Sequence, residues 1–240
     1  MLRGKSVLMK VKSFYLSLFL LSGLAAKSQE AKKDTAFLLK EENPHYHVVF
    51  VDSNKQSTNY SDIIGNKKSS YDTAVYKASI AKLKYNGIKI SKHAVSGFAK
   101  SWHPLYILKG RYYVYYPSDS LHNNWLTISD SIILKHIGSE PEVLAVNQVK
   151  STNNSRFQIA YRDRKGENKR LNIFIVDPTN GIAIFEYKGA DTSTYELRVA
   201  TSKIKNFPMV VNYCAGETRP EFPFDAPNYK ELIKVALRRE

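Results

Sequence analysis

Cysteine is nearly absent from this chain: of 240 residues, only Cys214 carries a thiol. A single cysteine cannot close an intramolecular disulfide, which excludes a disulfide scaffold and any Cys-x-x-Cys redox or zinc motif. Histidine is sparse as well, with six in the chain. His93, His103, His122 and His136 are scattered without ligand spacing, and the close pair His45 and His47 has no recognisable third ligand beside it. No metal centre is expected. The chain also lacks a glycine loop that cradles phosphate, a Gly-x-Ser-x-Gly nucleophile frame, a zinc-protease helix and a calcium loop. Motifs therefore point to no cofactor and no catalytic residue. A carboxylate pair for glycan hydrolysis has no fixed spacing, and an extracytoplasmic hydrolase stays open as an alternative.

Long apolar runs are missing too, except one. Phe14 to Ala26 is apolar, follows Arg3, Lys5, Lys10 and Lys12, and closes on the small residues Ala26 and Ser28. A basic start, a short apolar middle and a small-x-small end predict a signal peptide over residues 1–28, and hence an exported (periplasmic or secreted) protein. The run falls short of the roughly 20 residues that span a bilayer, so no transmembrane segment is expected after cleavage. No cysteine follows it, which argues against a lipid anchor. The formal charge is +14, but Arg3, Lys5, Lys10, Lys12 and Lys27 all lie in the leader, where no acidic residue offsets them. No block of five or six like charges occurs, so the remaining basicity reads as a solvated surface, not a nucleic-acid interface. The densest cluster is Arg162, Arg164, Lys165, Lys169 and Arg170, around a hairpin tip at Gly166-Glu167-Asn168.

What the chain has is strands. Residues 29–240 read as a single mainly-β domain, less regular over 29–100 and a strand succession over 105–213, with a helix over 228–240. Leu105 to Tyr116, Trp125 to Ile137 with a break at Ser129-Asp130, and Glu142 to Lys150 are rich in β-branched and aromatic residues. In Arg156 to Asp163, Phe157, Ile159 and Tyr161 alternate with polar or small residues, the period of a half-buried strand. Arg170 to Val176 and Ile182 to Lys188 flank Asp177-Pro178-Thr179-Asn180-Gly181, where proline presets the turn and Asn-Gly offers left-handed positions. Both arms are apolar on either face, which predicts a hairpin covered on both sides. Thr194 to Ile204 and Met209 to Tyr213 complete the set. An N-terminal helix is an option over Asp72 to Tyr85, with Tyr76, Ile80 and Leu83 on one face and Gly87 past its end. Asn228 and Glu231 have capping-box spacing ahead of the C-terminal helix.

The expected class is all-β and mainly antiparallel: an up-and-down barrel, or alternatively a β-sandwich. A succession of about eight strands with a helix near the end resembles the architecture of a lipocalin-type barrel. The Gly-x-Trp that opens such barrels is absent, since Gly97 and Trp102 stand five apart, so the likeness extends to architecture alone.

Aromatic residues offer the one candidate site. Tyr113 and Tyr115 share one face of a strand while Tyr112, Val114 and Tyr116 share the other, and Trp102 and Trp125 bracket it. If one face meets the core, the other can stack a ligand, with phenol hydroxyls as polar handles. Tyr113, Tyr115, Trp102 and Trp125 are thus the expected ligand contacts, in a non-catalytic binding module for a small hydrophobic, glycan or peptide ligand. A structural or assembly component of the cell envelope is the other alternative.

Overall fold

Eight antiparallel strands close on themselves, and a second sheet packs outside them. A computed structural model describes residues 36–42, 45–65, 70–119, 124–137, 140–189, 192–215 and 219–238. The leader expected over 1–28 lies outside the described residues, as does His122. The chain begins with β1 (Ala36–Glu41), β2 (His47–Asp52), α1 (Thr58–Gly65) and α2 (Ser70–Tyr85). Next come β3 (Ser101–Pro104), β4 (Tyr106–Leu108), β5 (Arg111–Tyr116), β6 (Trp125–Ile128) and β7 (Ile132–Ile137). The chain continues through β8 (Glu140–Asn153), β9 (Arg156–Arg162), β10 (Asn168–Asp177), β11 (Ile182–Lys188) and β12 (Ser193–Ala200). A 3-10 turn (Thr201–Asn206), β13 (Met209–Cys214) and α3 (Tyr229–Leu237) complete it.

The barrel follows the order β3-β6-β7-β8-β9-β10-β11-β12, with β12 hydrogen-bonded back to β3. It is the up-and-down form of the two expected architectures. The second sheet has the order β1-β2-β13-β5-β4, in which β13 and β5 run parallel. Among the described residues no helix is long and apolar enough to cross a membrane.

Residues of alternate parity fill the barrel. Trp102, Leu126, Ile133, Leu144, Phe157, Ile159, Leu171, Ile173 and Phe185 form one buried cluster inside it. The opposite faces of β10 to β12 (Phe174, Val176, Ile182, Ile184, Leu197, Val199) form another, with Val114, Met209 and Val211 of the second sheet, Tyr60 and Ile63 of α1, and Ala236 of α3. This accounts for the two-sided apolar character of the β10–β11 hairpin. Leu83 of α2 packs with Leu134, Val143 and Ala145 on the outside of β7 and β8, joined by Tyr76 and Ile80. Gly87, at φ +70, ends that helix in the left-handed conformation glycine adopts without strain.

Two turns differ from the expected reading. Leu105 to Tyr116 is not one strand but the β4–β5 hairpin, turned at Lys109 (φ 50) and Gly110 (φ 74). Two successive left-handed residues make the tight turn whose twist matches the flanking strands. In the β10–β11 turn only Gly181 is left-handed, at φ +66. Asn180 instead donates from its backbone to Asp177 Oδ1 at 3.0 Å and from its amide to Oδ2 at 2.8 Å, so Asp177 organises the loop.

Candidate functional site

β3 is short. It pairs with β12 only at Ala200, Val199 and Arg198, and at Pro104 the chain leaves the barrel for the β4–β5 hairpin. Leu105 N–H still reaches Leu197 O at 2.9 Å, but the first half of β12 has no β3 residue beside it. A cavity of about 190 Å³ lies at this seam. Its walls include Tyr106 and Ile107 of β4, Asn124, Tyr195 to Arg198 of β12, and Asp225, Pro227 and Tyr229 from the C-terminal stretch.

Arg198 dominates the site. Strand alternation puts it on the same face of β12 as Ala200, inside the barrel, where its residue is 1% exposed. Nε donates to Glu196 Oε2 at 2.8 Å, Nη2 donates to Asn124 Oδ1 at 3.2 Å, and Cζ lies 5.7 Å from the Phe185 ring centroid. Nη1 is buried and makes no hydrogen bond. Burial works against the charge, yet Glu196 and Tyr187 hold Arg198 above its already high range, so the guanidinium stays ionised. A buried donor without a partner costs about 1–3 kcal/mol. A fully buried guanidinium with an unused nitrogen is therefore a costly arrangement at the wall of a cavity.

A second cation lies nearby inside the barrel. Lys135, on β7 opposite Leu126 of β6 and Glu142 of β8, is lowered from the usual lysine range by burial and by Arg198, against the pull of Glu196 and Glu142. Its ammonium lies 3.8 Å from the centroid of the Tyr187 ring, and it makes no salt bridge among the described residues. Burial pushes Tyr106 up to about 12, with Glu221, Glu196 and Tyr229 adding to the rise and Arg198 opposing it. Tyr161 is also pushed up to about 12 by burial and by Glu142, and Tyr187 is raised for the same first reason. All three phenols therefore remain protonated. On the outer wall Tyr195 and Tyr229 stack with centroids 5.4 Å apart.

The four residues expected from the sequence are distributed as follows. Trp102 is 1% exposed inside the barrel, edge-on to Phe185 at 5.2 Å, with Nε1 donating to Ala99 O. It thus packs against the ring that lies beneath Arg198. Trp125 is on the outside of β6, stacked on His136 at 3.4 Å. Tyr113 and Tyr115 do share a face, in the second sheet, where Phe222 and Phe224 of the C-terminal stretch pack over them. Tyr115 Oη accepts from Asn212 Nδ2 at 2.9 Å and from Phe222 N–H at 3.1 Å. The structure therefore brings Tyr113 and Tyr115 together and keeps both tryptophans apart from them. Arg198, Lys135 and Asn124 went unnoticed in sequence. The available signal was a cation inside the apolar run Leu197 to Ala200 and another directly after the apolar run Ile132 to Leu134.

His45 precedes β2, and the buried His47 is engaged by protein groups: Nε2 lies 2.8 Å from Asn212 Oδ1 and Nδ1 lies 3.3 Å from Glu41 Oε2. Among the described residues no three His, Cys, Asp or Glu side chains converge as a metal-ligand set. Cys214, half-buried, ends β13. The fold and site define a closed eight-stranded barrel with a polar cavity at its seam. No protein-family model matches the chain, nor does any curated protein or solved structure.

Proposed function

We propose that this chain is an exported, non-catalytic binding module that holds a small ligand in the seam cavity between β12 and β4. Export rests on the basic, apolar and small-residue pattern of residues 1–28. The observation that carries binding is Arg198: a fully buried guanidinium lining a cavity, with Nη1 left without a hydrogen bond. Phenols and apolar side chains around a few convergent polar groups are the usual make-up of a small-molecule site.

Native mass spectrometry of the protein, isolated from cells under mild conditions, tests this reading. A retained small-molecule mass is expected, and it should disappear in Tyr195→Ala and Tyr229→Ala variants that keep the wild-type circular dichroism. A protein that retains nothing, and whose melting temperature no small molecule in a broad library raises, would sink the reading.

One observation favours a second reading, an assembly component. On β1, the edge strand of its sheet among the described residues, Phe37 is 55%, Leu38 37% and Leu39 36% exposed, an apolar edge of a kind that invites another chain. Light scattering would favour this reading if it gave a stable oligomer that Leu38→Lys dissociates.

A further inference from the structure

We infer that the outer face of the barrel carries a second site, between β9, β10 and β11, for a phosphate monoester on a polar body. It shares no lining residue with the seam cavity and does not depend on it.

The fold sorts the basic cluster of the β9–β10 hairpin. Arg164 lies 3.9 Å from Glu142, and Lys169 pairs with Glu167 at 2.6 Å. Arg162, Arg170 and Lys188 make no salt bridge among the described residues. On β9, Phe157, Ile159 and Tyr161 belong to the barrel interior, so Ala160 and Arg162 point outward. Ladder partners share a face, which places Arg170 beside Ala160, and Lys188 beside Arg170, on that outer side. A groove of about 410 Å³ opens here, with Ala160, Asn168, Arg170 and Lys188 among its walls.

Its charge is unbalanced. Arg170 and Lys188 are like charges directly opposed across a ladder, an arrangement that weakens strand pairing. The carboxylate in the next row, Glu186, is buried and accepts from Asn172, Ser193 and Tyr195. Counting it in full, three cations meet one anion. Asn168 adds a donor. Its Oδ1 accepts from Arg162 Nε at 3.2 Å, and because that nitrogen only donates, the Asn168 amide N–H groups remain to donate elsewhere.

A groove whose open polar groups are donors suits a group that only accepts. A phosphate monoester, with a charge of about −1.5 to −2, balances both facing cations where a carboxylate balances one. The planar fork of Arg170 can engage two of its oxygens in charge-assisted hydrogen bonds. The body follows from the walls. Among the described residues no aromatic or large aliphatic side chain lines the groove, so a polar body fits and an acyl chain does not. A cavity of about 150 Å³ admits benzene. The groove has more than twice that volume, room for a phosphorylated sugar.

Titration calorimetry with glucose 6-phosphate, gluconate and glucose tests the inference, at about 50 mM salt so that exposed charges are weakly screened. The probes have similar polyol bodies and differ in charge. Glucose 6-phosphate is expected to bind at least about tenfold more tightly than gluconate, and glucose more weakly still. Arg170→Thr and Lys188→Thr should each remove that preference, and Lys230→Thr on α3 should keep it. All three residues are exposed, so the variants should retain the wild-type circular dichroism. Gluconate matching glucose 6-phosphate overturns the phosphate assignment. Glucose 6-phosphate binding that survives both groove substitutions overturns the site. No binding at millimolar concentration overturns the inference outright and leaves the face as a solvated basic surface. None of these results touches the seam cavity, whose test is the mass retained on the native protein.

Discussion

The ammonium of Lys135 lies 3.8 Å from the centroid of the Tyr187 ring, and it makes no salt bridge among the described residues. The negative ring face offsets part of what the lysine loses on leaving water, by about 0.5–2 kcal/mol. The remainder of the desolvation cost stands, and it lowers the lysine from its usual range.

Removing that charge is expected to stabilise the empty protein. Lys135→Met keeps most of the side-chain length, discards the buried charge, and should raise the unfolding free energy by about 1 kcal/mol, as replacements of buried charges often do. Tyr187→Leu, which removes the ring face and leaves the ammonium, should cost about 2 kcal/mol or more. Urea denaturation of the two variants checks both signs.

His103 is held down to about 3 by burial first and by the charge of Arg198 second. A histidine near its ordinary value of 6.5 in the unfolded chain and near 3 in the folded one binds its proton more readily when unfolded. Stability is therefore unaffected by this group above pH 6.5 and falls as the pH drops from 6.5 toward 3, by at most about 1.4 kcal/mol per unit. His103→Gln should flatten that slope. Glu186 acts in a lower window. Burial alone would raise it, but hydrogen bonds from Asn172, Tyr195 and Ser193 and the charge of Lys188 hold it below its usual range. Its contribution is present above the ordinary carboxylate value of 4.5 and is lost as the pH falls through the depressed value. Chemical denaturation from pH 8 to pH 3 separates the two groups.

Gly181 is needed for its conformation and for the space it leaves. At φ +66, a Cβ here would lie 2.9 Å from Lys203 Cγ and 3.1 Å from Ala200 Cβ. Gly166, at φ +84, opens onto empty space. Gly181→Ala should lower stability by about 2 kcal/mol and Gly166→Ala by about 1 kcal/mol, since the second pays backbone strain alone. Thermal melts of the pair measure the difference.

Asn228 Oδ1 accepts from Glu231 N–H at 3.2 Å and caps α3, whose first residue is the cavity-lining Tyr229. Asn228→Ala should cost about 1 kcal/mol. Hydrogen exchange is expected to accelerate in 229–237 before it does in the barrel strands.

Local signals carried much of this fold. The period-2 pattern of Arg156 to Arg162, the turn residues of Asp177 to Gly181 and the cap at Asn228 each act within a few residues, so they were legible in the sequence. The β4–β5 hairpin was not, because Lys109-Gly110 sits inside an unbroken run of strand formers and a lone glycine there is a weak cue. The seam was harder still. It arises because β3 pairs with β12 and β6 while the intervening hairpin belongs to another sheet, a matter of long-range pairing that no local pattern encodes. Arg198 has no local pattern that marks it, and only the closure of the barrel buries it.

The second sheet is gathered from three distant stretches: β1 and β2 near the start, β4 and β5 from the detour, and β13 near the end. β13 is the middle strand, hydrogen-bonded to β2 on one side and to β5 on the other. A chain that emerges from its N-terminus first thus holds β2 and β5 with nothing between them until Met209 to Cys214 appears. Over that interval two open strand edges are available for mispairing. A copy that ends before Met209 holds all eight barrel strands and lacks the strand that joins β2 to β5, so the second sheet depends on chain made after the barrel is complete.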